Sequence, residues 1–344
     1  MKTTWLPRSF VAALMGPALA VSLAVPPLLS AEDVYHSPFF PAAVTPLAVP
    51  ALGDPDSQTL ADLAAKRRAA IDAALALPNR DVLLGQIGAA EVEALEGFVE
   101  AHPNSPWTPS LRASLGRYQR DRGRYTLALK HWEAAWRATG EADSGPAREI
   151  AEYTLVHWTR LLASLGRVEQ LAPLYLEHRD RVFAAGNVAQ VWTRTREAYT
   201  HMVRQPDIAY KCGVYALNHV ARTLYGTNVL ALLRQPSPLG GFSLATLWSL
   251  SDAQGLGLVP AVRGPNSELV VPCLVHWTQN HYAAIVARHG DMYEVVDPAF
   301  GGRQMMDAQT VNAEASGVFM VPAAALRAGW RALNRSDADR KSVV

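Results

Sequence analysis

Three residues in the C-terminal half of this 344-residue chain have side chains suited to nucleophilic catalysis: Cys212, His281 and Asp297. A thiolate attacks carbonyl carbons, an imidazole takes the thiol proton and later protonates the leaving group, and a carboxylate fixes the imidazole tautomer. If the fold brings these side chains together, we expect thiol-dependent acyl chemistry, with hydrolysis of a peptide bond as the main hypothesis. Transfer of the acyl group to an amine, as in transglutamination or conjugation, uses the same three groups.

Cys212 is predicted to begin a helix. The preceding segment 205–207 reads Gln-Pro-Asp and is turn-like, apolar residues recur at helical spacing after Cys212, and Gly226 occupies the usual stop position. The positive end of the helix dipole would favour the thiolate. We expect Gly213 to leave room for a substrate carbonyl. The alternative is a small buried cysteine without a reactive role.

His281 and Asp297 are predicted to lie at the open end of a β-hairpin. Residues 281–287 alternate in polarity, 288–291 read as a turn, and 292–297 read as the returning strand. We expect an even register, with a three-residue loop or a bulge near Gly290, that pairs His281 with Asp297, Ala283 with Val295, and Ile285 with Tyr293. The alternative is a strand histidine without a task and an aspartate that merely opens a turn before Pro298.

Two other groups invite different chemistry. Cys273, His276 and His281 resemble a zinc-binding cluster, but 273 and 276 fall on opposite faces of a strand and no fourth ligand is evident, so we expect no metal. His219 follows Cys212 on the same helix, too far along the axis to act as its base, and is predicted to be a packing or surface residue.

The region before the site is predicted to be helical. Apolar residues recur at three- and four-residue spacing between about Ser57 and Arg181. A segment around Gly123 resembles a tetratricopeptide repeat, and a weaker copy surrounds Gly166; the polar insert 140–146 separates them. The alternative is an ordinary bundle of helical hairpins with small residues at its crossings.

The site region is similar to the bacteriocin-processing, double-glycine-leader cysteine peptidases, a bacterial papain-like family. The features that carry this resemblance are, in order, Gln205, Cys212-Gly213, Gly241-Phe242-Ser243-Leu244, a strand from Pro272 to His281, Asp297-Pro298 and Ser316-Gly317. The resemblance implies an α+β domain with an antiparallel sheet. It also implies an oxyanion hole formed by the Gln205 side chain and the Cys212 backbone N–H.

The resemblance does not extend to a cofactor. Members of the family are fused to ATP-driven exporters, whereas this sequence has no GxxxxGK[ST] motif, so we expect neither ATP nor any other cofactor. The expected partners are a peptide or protein substrate and a protein that binds the helical region. A net charge of +1 argues against a nucleic-acid partner.

The N-terminus is predicted to direct export. Lys2 and Arg8 precede an apolar run with possible cleavage after Ala20 or Ala31; an uncleaved membrane anchor is the alternative. The predicted divisions are a signal peptide (1–31), a Pro/Ala-rich linker (32–56), a helical repeat-like domain (57–190), a papain-like domain (191–322) and a C-terminal tail (323–344) whose last ten residues are disordered.

Only two cysteines are present, Cys212 and Cys273. In an exported protein they could form a disulfide bond. That bond would block the nucleophile and leave a non-catalytic protein-binding module, which is the second functional hypothesis.

Overall fold

The computed structural model describes residues 34–40, 44–183, 186–265 and 267–340. Residues 339 and 340 are described by their backbone only. The predicted signal peptide, 1–31, lies outside the described residues. An all-helical N-terminal region is followed by a region built on an antiparallel sheet, which confirms the α+β fold class. No helix within these ranges combines the length and apolar character needed to cross a membrane.

The N-terminal region contains seven helices among its described residues. They are α1 (Pro55–Leu75), α2 (Arg80–Ala101), α3 (Thr108–Asp121), α4 (Tyr125–Thr139), α5 (Gly145–Ser164), α6 (Val168–Glu177) and α7 (Asn187–Arg204). Helices α3 and α4 form one hairpin that turns at Gly123, and α5 and α6 form another that turns at Gly166, both glycines having positive φ. The predicted helix-turn-helix units are therefore present, and their assignment as tetratricopeptide repeats stays a prediction.

Helices α3 and α4 cross at close range because Gly116 has no side chain. A Cβ atom at Gly116 would lie 2.6 Å from Nε1 of Trp132, whose ring is fully buried. The same Nε1 donates a hydrogen bond of 3.0 Å to the carbonyl of Ala113 on α3. The tryptophan thus fills the space that the glycine leaves and ties the two helices together.

The linker prediction for 32–56 is wrong for much of its described part. Tyr35 and Val44 form an isolated antiparallel bridge, and both are buried in a core shared with α2 and α3. Ser37 donates a hydrogen bond of 2.9 Å to the buried carboxylate of Glu91, which Tyr35 also contacts. The apolar residues of this segment bury surface against the helices, which its Pro/Ala-rich composition conceals.

The C-terminal region combines a seven-stranded sheet with short helices. The elements are α8 (Pro206–Ala209), α9 (Cys212–Tyr225), α10 (Leu230–Leu233), α11 (Leu244–Ala253), β1 (Leu258–Arg263), β2 (Cys273–Trp277), β3 (His281–His289), β4 (Met292–Asp297), β5 (Gly302–Asp307), α12 (Ala308–Glu314), β6 (Ala315–Pro322), β7 (Trp330–Ala332) and α13 (Arg335–Arg340). The strand order is β5-β4-β3-β2-β6-β1-β7, and neighbouring strands are antiparallel.

The strands alternate between two hydrophobic cores because successive side chains point to opposite faces of a sheet. Leu274, Ala284 and Met320 belong to the core that includes α9 and α11. Cys273 and Phe319, each next in sequence to one of these, belong to the core on the other face. Helix α9 therefore packs against one face of the sheet, and Cys273 points away from it.

The register of the β3–β4 hairpin differs from the prediction by two residues. Ile285 pairs with Val295 rather than with Tyr293, because the loop has only two residues, Gly290 and Asp291, and the irregularity lies between Ile285 and Ala287. Continuing this register sets Asp297 beside Ala283, diagonal to His281. Because the shift is an even number of residues, His281 and Asp297 stay on the same face of the hairpin. Diagonal neighbours on one face remain within side-chain reach.

Two predicted boundaries are also wrong. The boundary at 190/191 falls inside α7, which continues to Arg204. The boundary at 322/323 separates β7 from the sheet, although β7 pairs with β1. In the last ten residues, predicted to be disordered, α13 forms over Arg335–Arg340 and Ala338 is fully buried.

The helical region packs directly on the outer edge of the sheet. The Thr126 backbone N–H and hydroxyl donate to the buried carboxylate of Glu314 at the end of α12, at 3.0 to 3.2 Å. The Gln304 side chain on β5 donates to the Asp121 carbonyl at 3.0 Å, and Gly123 lies against Met306. These contacts fix the first hairpin beside the strand that follows the candidate acid, Asp297.

Gly116→Ala is predicted to lower the free energy of unfolding by about 1–3 kcal/mol, because the new methyl group collides with the Trp132 ring. Gly97→Ala on α2 is the matched control: nothing lies within 4 Å of its Cβ position, so helix propensity should raise stability by about 0.5–1 kcal/mol. Urea unfolding measures both. Equal effects of the two substitutions would contradict the close crossing of α3 and α4.

Candidate active site

Cys212 is the first residue of α9, as its sequence context predicts. Its side chain is partly buried, and α9 packs on β3, the strand that carries His281. The adjacent Gly213 is buried, and a Cβ there would lie 3.0 Å from the Leu247 side chain on α11. The glycine therefore permits close packing of two helices, and the room it leaves for a substrate carbonyl stays a prediction.

His281 and Asp297 are joined by a short, buried hydrogen bond. Nε2 of His281 lies 2.7 Å from Oδ2 of Asp297, and both side chains are almost fully buried. The second carboxylate oxygen, Oδ1, accepts a hydrogen bond of 3.0 Å from the Ala299 backbone N–H. Asp297 is thus oriented from the turn after β4. It engages Nε2 of the imidazole and leaves Nδ1 for another partner.

Cys212 lies close enough to this imidazole for the two side chains to shift each other's pKa. Burial disfavours its thiolate, but the charge of His281, the hydrogen bond between the two side chains and the Tyr282 backbone N–H outweigh burial and lower the pKa of the thiol. Burial likewise disfavours the charged imidazole, yet the charges of Asp297 and Cys212 hold the pKa of His281 well above its usual value. The arrangement therefore favours a thiolate–imidazolium pair at neutral pH.

Phe300 packs against the candidate base and links it to the helical region. Its ring meets the His281 ring edge-on at 5.7 Å between centroids and stacks on Tyr125 of α4 at 4.3 Å. The Arg120 guanidinium of α3 lies 5.7 Å from the centroid of the same ring. The first helical hairpin thus supports the side of His281 through one aromatic side chain.

Cys212, His281 and Asp297 line one end of an open cavity of about 800 Å³. Its remaining walls come from α5 and α7, the turn at Gly166, and the segment Gly240-Gly241. Asn280, held at a positive φ of 52°, completes the turn that leads into His281 and also lines the cavity. The volume is in the range of ordinary ligand-binding clefts.

The structure does not bring Gln205 to this site. It lies at the junction of α7 and α8 with an exposed side chain and is not among the described residues that line the cavity. The oxyanion role that the resemblance implies for its side chain has no geometric support. The Cys212 backbone N–H lies in the first turn of α9, where no intrahelical carbonyl is available to accept its hydrogen bond. This is the position that the resemblance implies for an oxyanion-hole donor.

The zinc-like cluster is divided between two environments. Cys273 is fully buried among apolar side chains, whereas His276 lies 2.9 Å from the Ser316 hydroxyl and stacks near Tyr282. No group of three candidate metal ligands occurs in the described parts of the chain.

The alternative of a Cys212–Cys273 disulfide is contradicted by the fold. Both cysteines are free, and Cys273 points to the face of the sheet opposite α9. Joining them would require a large movement of the backbone. Burial raises the pKa of the Cys273 thiol and makes it unreactive.

His219 is half-buried, as expected of a packing residue. It borders a separate cavity of about 390 Å³ together with Arg222 and Arg303. Burial, followed by the charges of those two arginines, lowers its pKa.

Two parts of the site lay beyond the sequence argument. Phe300 follows Asp297-Pro298 closely, and an aromatic residue there was the only available signal. The sequence did not indicate that α5 and α7 line the cavity, because nothing in their periodicity shows which side of each helix faces the sheet domain.

Residues 200–325, just over a third of the chain, match the model of the Peptidase C39 family, and this similarity supports a cysteine peptidase. A solved structure described as a double glycine motif protease from an AMS/PCAT transporter, in complex with the leader peptide, has 21% sequence identity and a TM-score of 0.27; the match covers 32% of this chain and 81% of that one. No curated protein matches the chain.

Asp297→Asn is predicted to slow alkylation of Cys212 by iodoacetamide at neutral pH roughly 10- to 100-fold, because the imidazolium loses a hydrogen bond to a charged partner. Asp291→Asn, in the exposed turn of the same hairpin, is the control and should leave the rate unchanged. Peptide mass mapping identifies the alkylated cysteine. Equal rates in the two variants would show that Asp297 does not support the thiolate.

Proposed function

We propose that Cys212, His281 and Asp297 form the catalytic triad of this cysteine peptidase. The observation that carries the proposal is their joint position: a thiol at a helix start lies beside an imidazole that is itself fixed by a buried carboxylate, and all three residues line one open cavity. Each residue alone has an ordinary structural explanation, but the three together match what nucleophilic catalysis requires.

The proposed reaction has two steps. The Cys212 thiolate attacks the carbonyl carbon of a peptide bond, and the C–N bond breaks as His281 gives its proton to the departing amine. A water molecule then attacks the thioester, with His281 taking its proton, and the acid product leaves as the thiolate is restored. Asp297 keeps the imidazole oriented throughout and stabilises its charged form.

The Cys212 backbone N–H is proposed to bind the developing oxyanion. A donor in the first turn of a helix is preorganised and adds the favourable end of the helix dipole. Because Gln205 is exposed and outside the cavity, the proposal does not use its side chain.

The helical region is proposed to take part in substrate binding. Helices α5 and α7 supply about two-fifths of the residues around the cavity, so a chain bound at Cys212 would contact them. This assigns the helical region a role within the peptidase site as well as any role in binding a separate partner.

Cys212→Ala is predicted to lower kcat/KM for a quenched fluorescent peptide by about 10⁴-fold or more, because the nucleophile is lost. Cys273→Ala, which removes the unreactive buried thiol, should retain most of the activity of the folded fraction. Mass spectrometry should find a free carboxyl group on the N-terminal product. A product joined instead to an added amine would replace hydrolysis with acyl transfer, and turnover by Cys212→Ala would exclude Cys212 as the nucleophile.

Export is proposed from the N-terminal sequence alone. Expressed with its full N-terminus in a Gram-negative bacterium, the protein should accumulate in the periplasm with a mass that begins after Ala20 or Ala31. Full-length protein confined to the cytoplasm would contradict this, and full-length protein in the membrane fraction would favour the uncleaved anchor.

A further inference from the structure

The cavity next to Cys212 is lined by an excess of positive charge. Apart from the triad and two tyrosines, Tyr210 and Tyr215, its charged and titratable side chains are Arg160, Arg167, Arg194, His201, Lys211 and Glu169. Four of these are permanently positive at neutral pH and only one is an acid. A cleft lined by one sign of charge concentrates ligands of the opposite sign.

Some of this charge is already used by the protein. Lys211 donates to the Leu233 carbonyl at 3.0 Å, and Arg167 lies 3.3 Å from the Gln279 side chain and 3.9 Å from Glu169. The carboxylate of Glu169 is thus already paired with Arg167. These two cations are held in place by the fold.

Arg160 on α5 and Arg194 on α7 differ from them. Both are exposed to the cavity, and neither forms an ion pair or side-chain hydrogen bond with the residues that the structure describes. Burial, and then repulsion from Arg120 and Arg117, lowers the pKa of Arg160, and the charge of Asp121 offsets only part of this effect. An arginine fork without a partner is suited to bind a carboxylate with two hydrogen bonds.

We infer that the substrate is a polypeptide with acidic residues close to the scissile bond, and that Arg160 and Arg194 bind their carboxylates. This inference rests on the proposed role of Cys212. The two arginines belong to the helical region, whereas the thiolate belongs to the sheet domain, yet they line the same cavity. The helical region would then select the sequence that the peptidase domain cleaves.

The test uses three peptidyl acyloxymethyl ketones that share a Leu-Gly-Gly end. They differ at the two positions before it, which are both Glu in the acidic probe, both Gln in the neutral probe and both Lys in the basic probe. The rate of covalent labelling of Cys212 is measured by intact mass on the full chain. The acidic probe should label roughly tenfold faster than the basic probe, because two partly exposed ion pairs are gained. Added salt should reduce the difference.

The double variant Arg160→Glu, Arg194→Glu should reverse the preference, so that the basic probe labels faster. Arg196→Glu is the matched control: it lies two residues from Arg194 on the same helix and is exposed, but it is not among the residues of the cavity. This variant should keep the preference for the acidic probe.

The possible failures are distinguishable. If iodoacetamide labels Cys212 but the three peptides label at equal rates in the unsubstituted protein, the acidic preference is overturned and the triad stands. If the preference exists but survives the double variant, these two arginines are not its source. If neither iodoacetamide nor any peptide labels Cys212, the proposed function fails first.

Discussion

The buried contact between His281 and Asp297 is the interaction on which the site depends. An imidazolium removed from water is costly unless a carboxylate compensates for it, and a thiolate beside it is stable only while that positive charge is present. Nε2 of His281 is held at 2.7 Å from Asp297, so the other nitrogen faces the thiol at the start of α9. The hairpin sets the distance between base and acid, and the packing of α9 on β3 sets the position of the nucleophile.

The helical region is part of this arrangement. Phe300 lies between Tyr125 and His281, and Thr126 holds the buried end of α12 through Glu314. On its other side the same region supplies two walls of the cavity. One set of helices therefore both supports His281 and shapes the cleft, and a continuous helix, α7, joins the two regions.

Local patterns were sufficient where the structure is local. The start of α9 at Cys212, the start of β3 at His281 and the end of β4 at Asp297 follow from periodicity and turn residues. Contacts distant in sequence were not accessible in the same way. The two-residue shift in the hairpin arose because a short loop and a bulge compensate each other. The exposed position of Gln205 depends on α8, a single turn that periodicity does not reveal, and the burial of Tyr35 and Val44 depends on a core formed by α2 and α3.

The most direct test of the triad is a titration of the Cys212 thiolate by its ultraviolet absorbance, taken as the difference between the unsubstituted protein and Cys212→Ala. If the pair exists, the thiolate signal is present at neutral pH and is lost only as the pH falls through the lowered pKa of the thiol. In His281→Ala the signal should shift towards the pH range of a free cysteine. A thiolate that appears in the unsubstituted protein only as the pH rises through the usual range of a free thiol, unaffected by His281→Ala, would contradict the account.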